Sequence, residues 1–293
     1  MFIFFGIFTV LFGISLWWLL PDSPVTATWL TERERLIAVE RLKGNKTGIK
    51  NTHHKKEQVK EALLDPKVWL LVLAVFLHNM TNSLQSNFTG IIIKGFGYSS
   101  YQAVLLQIPG PAILAVVMLV VMFFLSSKWG QEKRIFAILL CYVPGIISCA
   151  ILHSVPLKAS TKGIHLFAVF IIPICAVSAG ILYSLLASNI AGYTKKTVAG
   201  ALFFAAYCVA NIVSPQTFIE KQAPKYTTGI IVTLTCFCLN MVLVVILYMV
   251  YARANAARDE DAAGVTSSDD TTDMVHAFSD LTDLTNKELR YTK

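Results

Sequence analysis

Seven stretches of this chain contain no aspartate, glutamate, lysine or arginine: Met1–Leu20, Val68–Ile93, Gly95–Ser127, Ile135–Leu157, Gly163–Thr194, Thr197–Ile219 and Tyr226–Ala252. Each holds the ~20 apolar residues that a helix needs to cross a ~30 Å hydrocarbon core. Charged residues make up 15% of the 293-residue chain, against about a quarter in a soluble domain. That balance excludes a disordered or collagen-like chain. The net charge of +7 lies between the apolar runs rather than on one folded face, which argues against a nucleic-acid partner. All six cysteines fall inside those runs, where a thiol behaves as a small hydrophobe rather than as part of a disulfide scaffold. The fold class is therefore all-α and integral to the lipid bilayer, with seven transmembrane helices.

The first stretch lacks the basic start and small-residue cleavage site of a signal peptide. Its Trp17-Trp18 and Pro21 read instead as an interfacial belt followed by a helix stop. The third and fifth stretches are overlong, so part of each belongs to a loop or to tilt. Gly95 to Ser100 reads as the turn ahead of the third helix. The loop between the first two helices carries ten basic residues: Arg33, Arg35, Arg41, Lys43, Lys46, Lys50, Lys55, Lys56, Lys60 and Lys67. Positive residues stay inside, so residues 21–67 are expected to be a cytoplasmic loop, with the N-terminus outside and the C-terminus cytoplasmic.

Within that loop, Thr31-Glu32-Arg33-Glu34 forms a capping box, and Gly44 suits the end of the helix it opens. A second short helix is expected over Lys55–Leu64. Both read as amphipathic helices lying on the membrane surface. His53 and His54 are adjacent and lack a metal-ligand spacing, so they read as solvated. A six-helix bundle follows over 68–252. The acidic, Ser- and Thr-rich tail over 253–293 reads as disordered.

No acidic or basic side chain other than histidine lies inside any of the seven stretches, which leaves neutral hydrogen-bonding groups to line a path. His78, Asn82 and Gln85 share a face at i, i+4, i+7 in the second stretch. Gln107 precedes Pro109-Gly110-Pro111, a helix-kinking sequence. Tyr183 lies in the fifth stretch, and Tyr207 and Asn211 share a face of the sixth. Amides facing lipid would cost several kcal/mol each, so these residues are expected either to pair between helices or to line a cavity, and their density favours the cavity. Asn79 and Asn87 match the glycosylation pattern but lie too deep for it. Without an acidic residue or a metal-ligand spacing in the spans, no enzyme chemistry, metal or cofactor is expected.

Several motifs together resemble the fungal allantoate permease branch of the major facilitator superfamily, the anion:cation symporters. They are Leu20-Pro21-Asp22-Ser23-Pro24 with Trp29-Leu30-Thr31-Glu32-Arg33-Glu34, then Ile93 to Ser99. The most specific is Ser188-Asn189-Ile190-Ala191-Gly192-Tyr193-Thr194-Lys195-Lys196. Asn211 to Gln216, including Pro215 and Gln216, and the terminal Asp280 to Asp283 with Asn286 and Arg290-Tyr291 complete the set. Ala210 and Leu289 depart from the family's glycine and phenylalanine, and Ser127-Lys128-Trp129-Gly130 lacks the superfamily's loop aspartate.

The resemblance implies helix six plus the C-terminal six-helix bundle of a twelve-helix fold. It implies a plasma-membrane, proton-coupled carrier of small organic anions or vitamins such as allantoate, nicotinate or pantothenate. Such a carrier needs the N-terminal half-bundle as a partner, so a truncated form is expected to be inactive alone. A seven-helix receptor is the alternative class. It is disfavoured by the long first loop and by the lack of a mid-span lysine or an extracellular cysteine pair.

Overall fold

A computed structural model describes residues 2–21, 27, 29–43, 55–156, 158–223, 225–263, 281–286 and 289–293. The expected stop at Gly44, the His53-His54 pair and residues 264–280 of the tail lie outside the described residues.

Among the described residues, seven helical segments are long and apolar enough to cross a membrane, in agreement with the expected number. They are Phe2–Leu19, Pro66–Gly95, Ser100–Ser126, Arg134–Ser154, Lys162–Asn189, Tyr193–Thr217 and Thr227–Asp261. The first is helix α1 (Phe2–Leu19), none of whose residues is buried. Two short helices follow, α2 (Glu32–Lys43) and α3 (Lys56–Leu64). The capping box that opens α2 forms as expected. The Thr31 amide donates to Glu34 Oε2 at 2.9 Å, and the Glu34 amide to Thr31 Oγ1 at 3.4 Å.

The bundle proper is α4 (Pro66–Met80), α5 (Thr89–Gly95), α6 (Ser100–Leu105), α7 (Pro109–Ser126), α8 (Arg134–Ser154), α9 (Lys162–Ile171), α10 (Val177–Asn189), α11 (Tyr193–Val213) and α12 (Thr227–Ala263). Helix α12 packs along both α8 and α4, and α11 lies along α4. Lipid is as apolar as these side chains, so close packing and hydrogen bonds hold them together rather than the hydrophobic effect. Gly145 on α8 admits the Phe237 ring of α12 closely enough that a Cβ there would lie 2.8 Å from it.

Three spans are interrupted at depth. A turn at Thr81 and a π-helical turn over Leu84–Phe88 separate α4 from α5. The cause is local: Asn79, Thr81, Ser86 and Thr89 side chains all bond main-chain carbonyls of the same span, in competition with the helix's own pattern. Residues 106–108 separate α6 from α7, and a 3₁₀ turn at Ile172–Ala176, entered through Pro173, separates α9 from α10. These breaks meet one another. Gln85 Nε2 donates to Cys175 Sγ at 3.2 Å, a Cβ on Gly90 would lie 3.0 Å from Gln107 Nε2, and one on Gly110 would lie 3.2 Å from Pro173.

Three expectations need correction and one is borne out with a detail added. Pro109-Gly110-Pro111 does not kink a continuous helix. Pro109 opens α7, where its missing N–H costs nothing. The expected turn at Gly95–Ser100 is present, with Gly97 at φ +87°, but it is completed by a Ser99/Gln102 capping box that the sequence reading overlooked. Helix α3 does not rest on lipid alone; it packs on α11 with Gln58 and Ala62 buried. The region from 253 onward is not disordered at either end. α12 continues to Ala263, and residues 281–286 and 289–293 return to the bundle, with Thr282, Asp283, Asn286, Leu289 and Tyr291 buried. The reason is that polar groups on α12 and at the neighbouring helix ends bind that segment's main chain.

Candidate functional site

Two polar assemblies stand out. The first lies between α4 and α11, beside the helix breaks. Asn82 Nδ2 donates to Asn211 Oδ1 at 2.8 Å, and Asn211 Nδ2 donates to the Tyr207 carbonyl at 2.9 Å and reaches Asn79 Oδ1 at 3.5 Å. Ser214 Oγ on the same line of α11 donates to the Met80 carbonyl at 2.6 Å. Asn82, Gln85, Gln107, Tyr207 and Asn211 are all half-buried, and Ser86, Asn87 and Tyr183 are exposed. Tyr183 rests against Phe203 with ring centroids 4.8 Å apart, and Tyr207 stacks on Phe204 at 5.8 Å. Gln107 turns back to the Ala103 carbonyl at 3.0 Å.

The structure therefore joins Asn82 with Asn211 and separates the rest of the predicted face. Gln85 points to the α9–α10 break. His78 points into the bundle, where its Nδ1 lies 3.1 Å from the Tyr142 hydroxyl. Asn240 Nδ2 donates to that hydroxyl at 3.0 Å and to the Ala74 carbonyl at 3.0 Å. This interior set ties α4, α8 and α12 together, and the sequence reading did not single out Tyr142 or Asn240.

The second assembly is at the end of the bundle where α3 enters, called here the loop side. Lys195, at the start of α11, has a fully buried side chain and meets three carboxylates: Glu61 Oε1 at 2.9 Å, Asp65 Oδ2 at 2.6 Å and Asp283 Oδ1 at 2.6 Å. Lys67 Nζ lies 3.1 Å from Asp283 Oδ2 and also contacts the Tyr291 hydroxyl. Burial alone would raise the Asp283 carboxyl. The Lys195 charge and hydrogen bond, Lys67 and the Tyr291 hydroxyl outweigh it and hold the group below the ordinary carboxylate range. Asp283 is thus ionised at neutral pH.

Helix α11 has no side-chain cap of its own. Gln58 of α3 supplies one, its Oε1 accepting from the Thr194 and Lys195 amides at 3.1 and 3.2 Å; these are first-turn donors that need an outside partner. Gly192, just ahead, has φ +88°, and a Cβ there would meet Thr282 Cγ2 at 3.0 Å and Gln58 Oε1 at 3.1 Å. Gly192→Ala is therefore expected to cost about 1–3 kcal/mol, measured as a lower melting temperature in detergent.

The family-motif residues divide accordingly. Asn189, Gly192, Thr194 and Lys195 build this assembly. Ser188, with Ser184, accepts from Arg134 Nη1 at 2.8 Å each. Lys196 donates to the Ala187 carbonyl at 2.6 Å. Pro215 opens a 3₁₀ turn, and Gln216 bonds the Ile212 carbonyl at 3.1 Å. No group of three or more His, Cys, Asp or Glu able to hold a metal occurs among the described residues.

Comparison with known proteins gives a consistent picture. The family model of the Major Facilitator Superfamily matches residues 1–215. The chain is similar to the allantoate permease of Saccharomyces cerevisiae, at 33% identity over 100% of this chain and 54% of that protein. It is 31% identical to a thiamine pathway transporter of the same yeast, over 99% of this chain and 54% of the relative. An uncharacterized transporter of Schizosaccharomyces pombe is 37% identical over 86% of this chain and 48% of its own length. The chain thus spans about half the length of the curated relatives it matches. No solved structure gives a significant match.

Proposed function

Because the chain belongs to the major facilitator superfamily, we propose that it supplies one half of the pathway of a secondary transporter for small organic anions or vitamins, coupled to protons. Its resemblance to the allantoate permease branch supports that substrate class. The observation that carries the reading is the Asn82–Asn211 pair, half-buried between α4 and α11 at the level where neighbouring spans are interrupted. Neutral amides of this kind can bind a polar solute without the cost of a buried charge, and interrupted helices expose main-chain groups where a transporter binds its cargo.

In this reading the loop side is cytoplasmic, the membrane is the plasma membrane, and the second half-bundle is a required partner. Alternating access needs two bundles rocking about a midplane site. His78 is held by Tyr142, itself bonded by Asn240, inside the bundle, so the titratable group for proton coupling and the positive group for an anion belong to the second half. The path on this half runs along Asn82, Gln85, Gln107, Tyr183, Tyr207 and Asn211.

The test is uptake of labelled allantoate, nicotinate and pantothenate in a permease-deficient yeast. The chain is expressed alone and with the N-terminal half-bundle of the allantoate permease relative. Uptake that rises at acid pH is expected only with both halves present. Asn211→Leu should reduce it at least tenfold with membrane expression unchanged. Unaltered uptake by Asn211→Leu would remove the asparagine pair from the path, and failure with all three solutes would overturn the substrate class.

A further inference from the structure

Residues 281–286 and 289–293 are held at the loop side by groups that recognise a peptide as a peptide. Two asparagines each grip one residue's main chain. Asn255 Nδ2 donates to the Tyr291 carbonyl at 2.8 Å while its Oδ1 accepts from the Tyr291 amide at 2.9 Å. Asn189 Nδ2 donates to the Thr292 carbonyl at 3.0 Å, and its Oδ1 accepts from the Thr292 amide at 2.8 Å and hydroxyl at 2.9 Å. The Arg134 amide, a free donor at the start of α8, binds the Lys293 carbonyl at 2.8 Å. Arg258 donates to the Leu289 and Asp283 carbonyls.

Side-chain recognition comes from two residues eight positions apart, Asp283 and Tyr291. Asp283 meets Lys195 and Lys67 as described. The Tyr291 ring stacks on Tyr251 at 5.1 Å and 10°, with Lys67 and Arg258 at 4.3 and 4.4 Å from its centroid. Its hydroxyl donates to Asp283 Oδ2 at 2.8 Å.

The site is equipped to persist without its occupant. Lys195 retains Glu61 and Asp65, the Arg134 side chain retains Ser184 and Ser188, and Gln58 still caps α11. The segment itself adds little apolar burial, only Leu289 and Tyr291 among its described residues. Hydrogen bonds that exchange with water contribute only about 0.5–1.5 kcal/mol each. We propose that the loop-side end of the bundle is a peptide-binding site whose ligand is this chain's own residues 281–293, docking and releasing rather than forming a fixed part of the fold. The proposal stands apart from the transport reading, since it concerns a different face of the bundle and is tested by binding.

The experiment uses the full chain in lipid nanodiscs and a fluorescein-labelled peptide of residues 281–293, followed by anisotropy. In the Tyr291→Ala chain the tethered segment loses its ring and vacates the site, so the peptide is expected to bind saturably. Binding to the wild-type chain should be at least tenfold weaker, because a tethered competitor acts at an effective concentration on the order of mM. Adding Asn189→Ala and Asn255→Ala to the Tyr291→Ala chain should abolish binding, and so should Tyr291→Ala in the peptide. Absence of binding to the Tyr291→Ala chain, or equal binding to all chains, overturns the proposal.

Hydrogen exchange on the full chain gives a second readout. The Tyr291 and Thr292 amides should exchange at least tenfold faster than the interior amides of α8 and α12, because release is local. Asn189→Ala with Asn255→Ala should speed exchange over 289–293 while leaving α8 and α12 unchanged. Exchange of the segment as slow as that of α8, or a general loosening of α8 and α12 in the variant, would make it an integral part of the fold.

Discussion

Lys195→Met is expected to lower stability by about 3–5 kcal/mol, the usual consequence of removing one partner from a buried ionic group. The Lys195 side chain is 0% exposed, and two of its three carboxylates, Asp65 and Asp283, are 1% and 2% exposed. Without the ammonium, Asp65 loses its buried cation and Asp283 keeps only Lys67 and the Tyr291 hydroxyl, so the two acids repel each other in a largely dry site and favour protonation or expulsion. Expulsion of Asp283 would carry the 281–293 segment with it. Melting by fluorescence-detected gel filtration measures the loss. Asp65→Asn with Asp283→Asn in the Lys195→Met chain should restore much of it, since the unpaired charges are then gone. A Lys195→Met chain that melts like the wild type would mean that the cluster does not form.

The second large effect is expected at Gly145→Leu. A Cβ at this position would lie 2.8 and 2.9 Å from two atoms of the Phe237 ring, closer than carbon atoms approach without strain. Phe237 is 0% exposed and rests against Tyr142 at 5.8 Å, which is itself held by His78 and Asn240, so the ring has nowhere to retreat. Overpacking by a few methylenes costs about 1–3 kcal/mol, and leucine should reach or pass the top of that range by separating α8 from α12. Gly145→Ala should lose less, and Phe237→Leu should recover most of the alanine loss by opening space. Equal melting of the leucine variant and the wild type would show that α8 and α12 are not so closely apposed.

What was legible in the sequence was whatever depends on neighbours along the chain. Absence of charge marked the seven spans, Thr31 and Glu34 marked a helix start, and the Gly95–Ser100 sequence marked a turn. The polar face of the second span was legible only as composition. A helical wheel assumes an unbroken helix, and interruption at Thr81 and the π turn from Leu84 sends His78, Asn82 and Gln85 to three different neighbours. Lys195 looked like one more loop cation. Its partners Glu61 and Asp65 lie 134 and 130 residues away, and no local pattern reports a pairing across that separation. The acidic, threonine-rich composition around the terminal segment likewise concealed its order, because the groups that bind it belong to α8, α10 and α12.

The converging interruptions give the bundle an uneven mechanical character. Where three spans lose their regular hydrogen bonding at one level, resistance to bending is lowest, while α8 and α12 run past that level unbroken and limit how far the two sides can part. Residues 281–286 and 289–293 fasten helix ends on the loop side only. Strain applied at the opposite end is therefore absorbed in the layer that contains Gln85, Gln107 and Cys175, and the polar groups bordering it change their spacing before any helix end on the loop side has to shift.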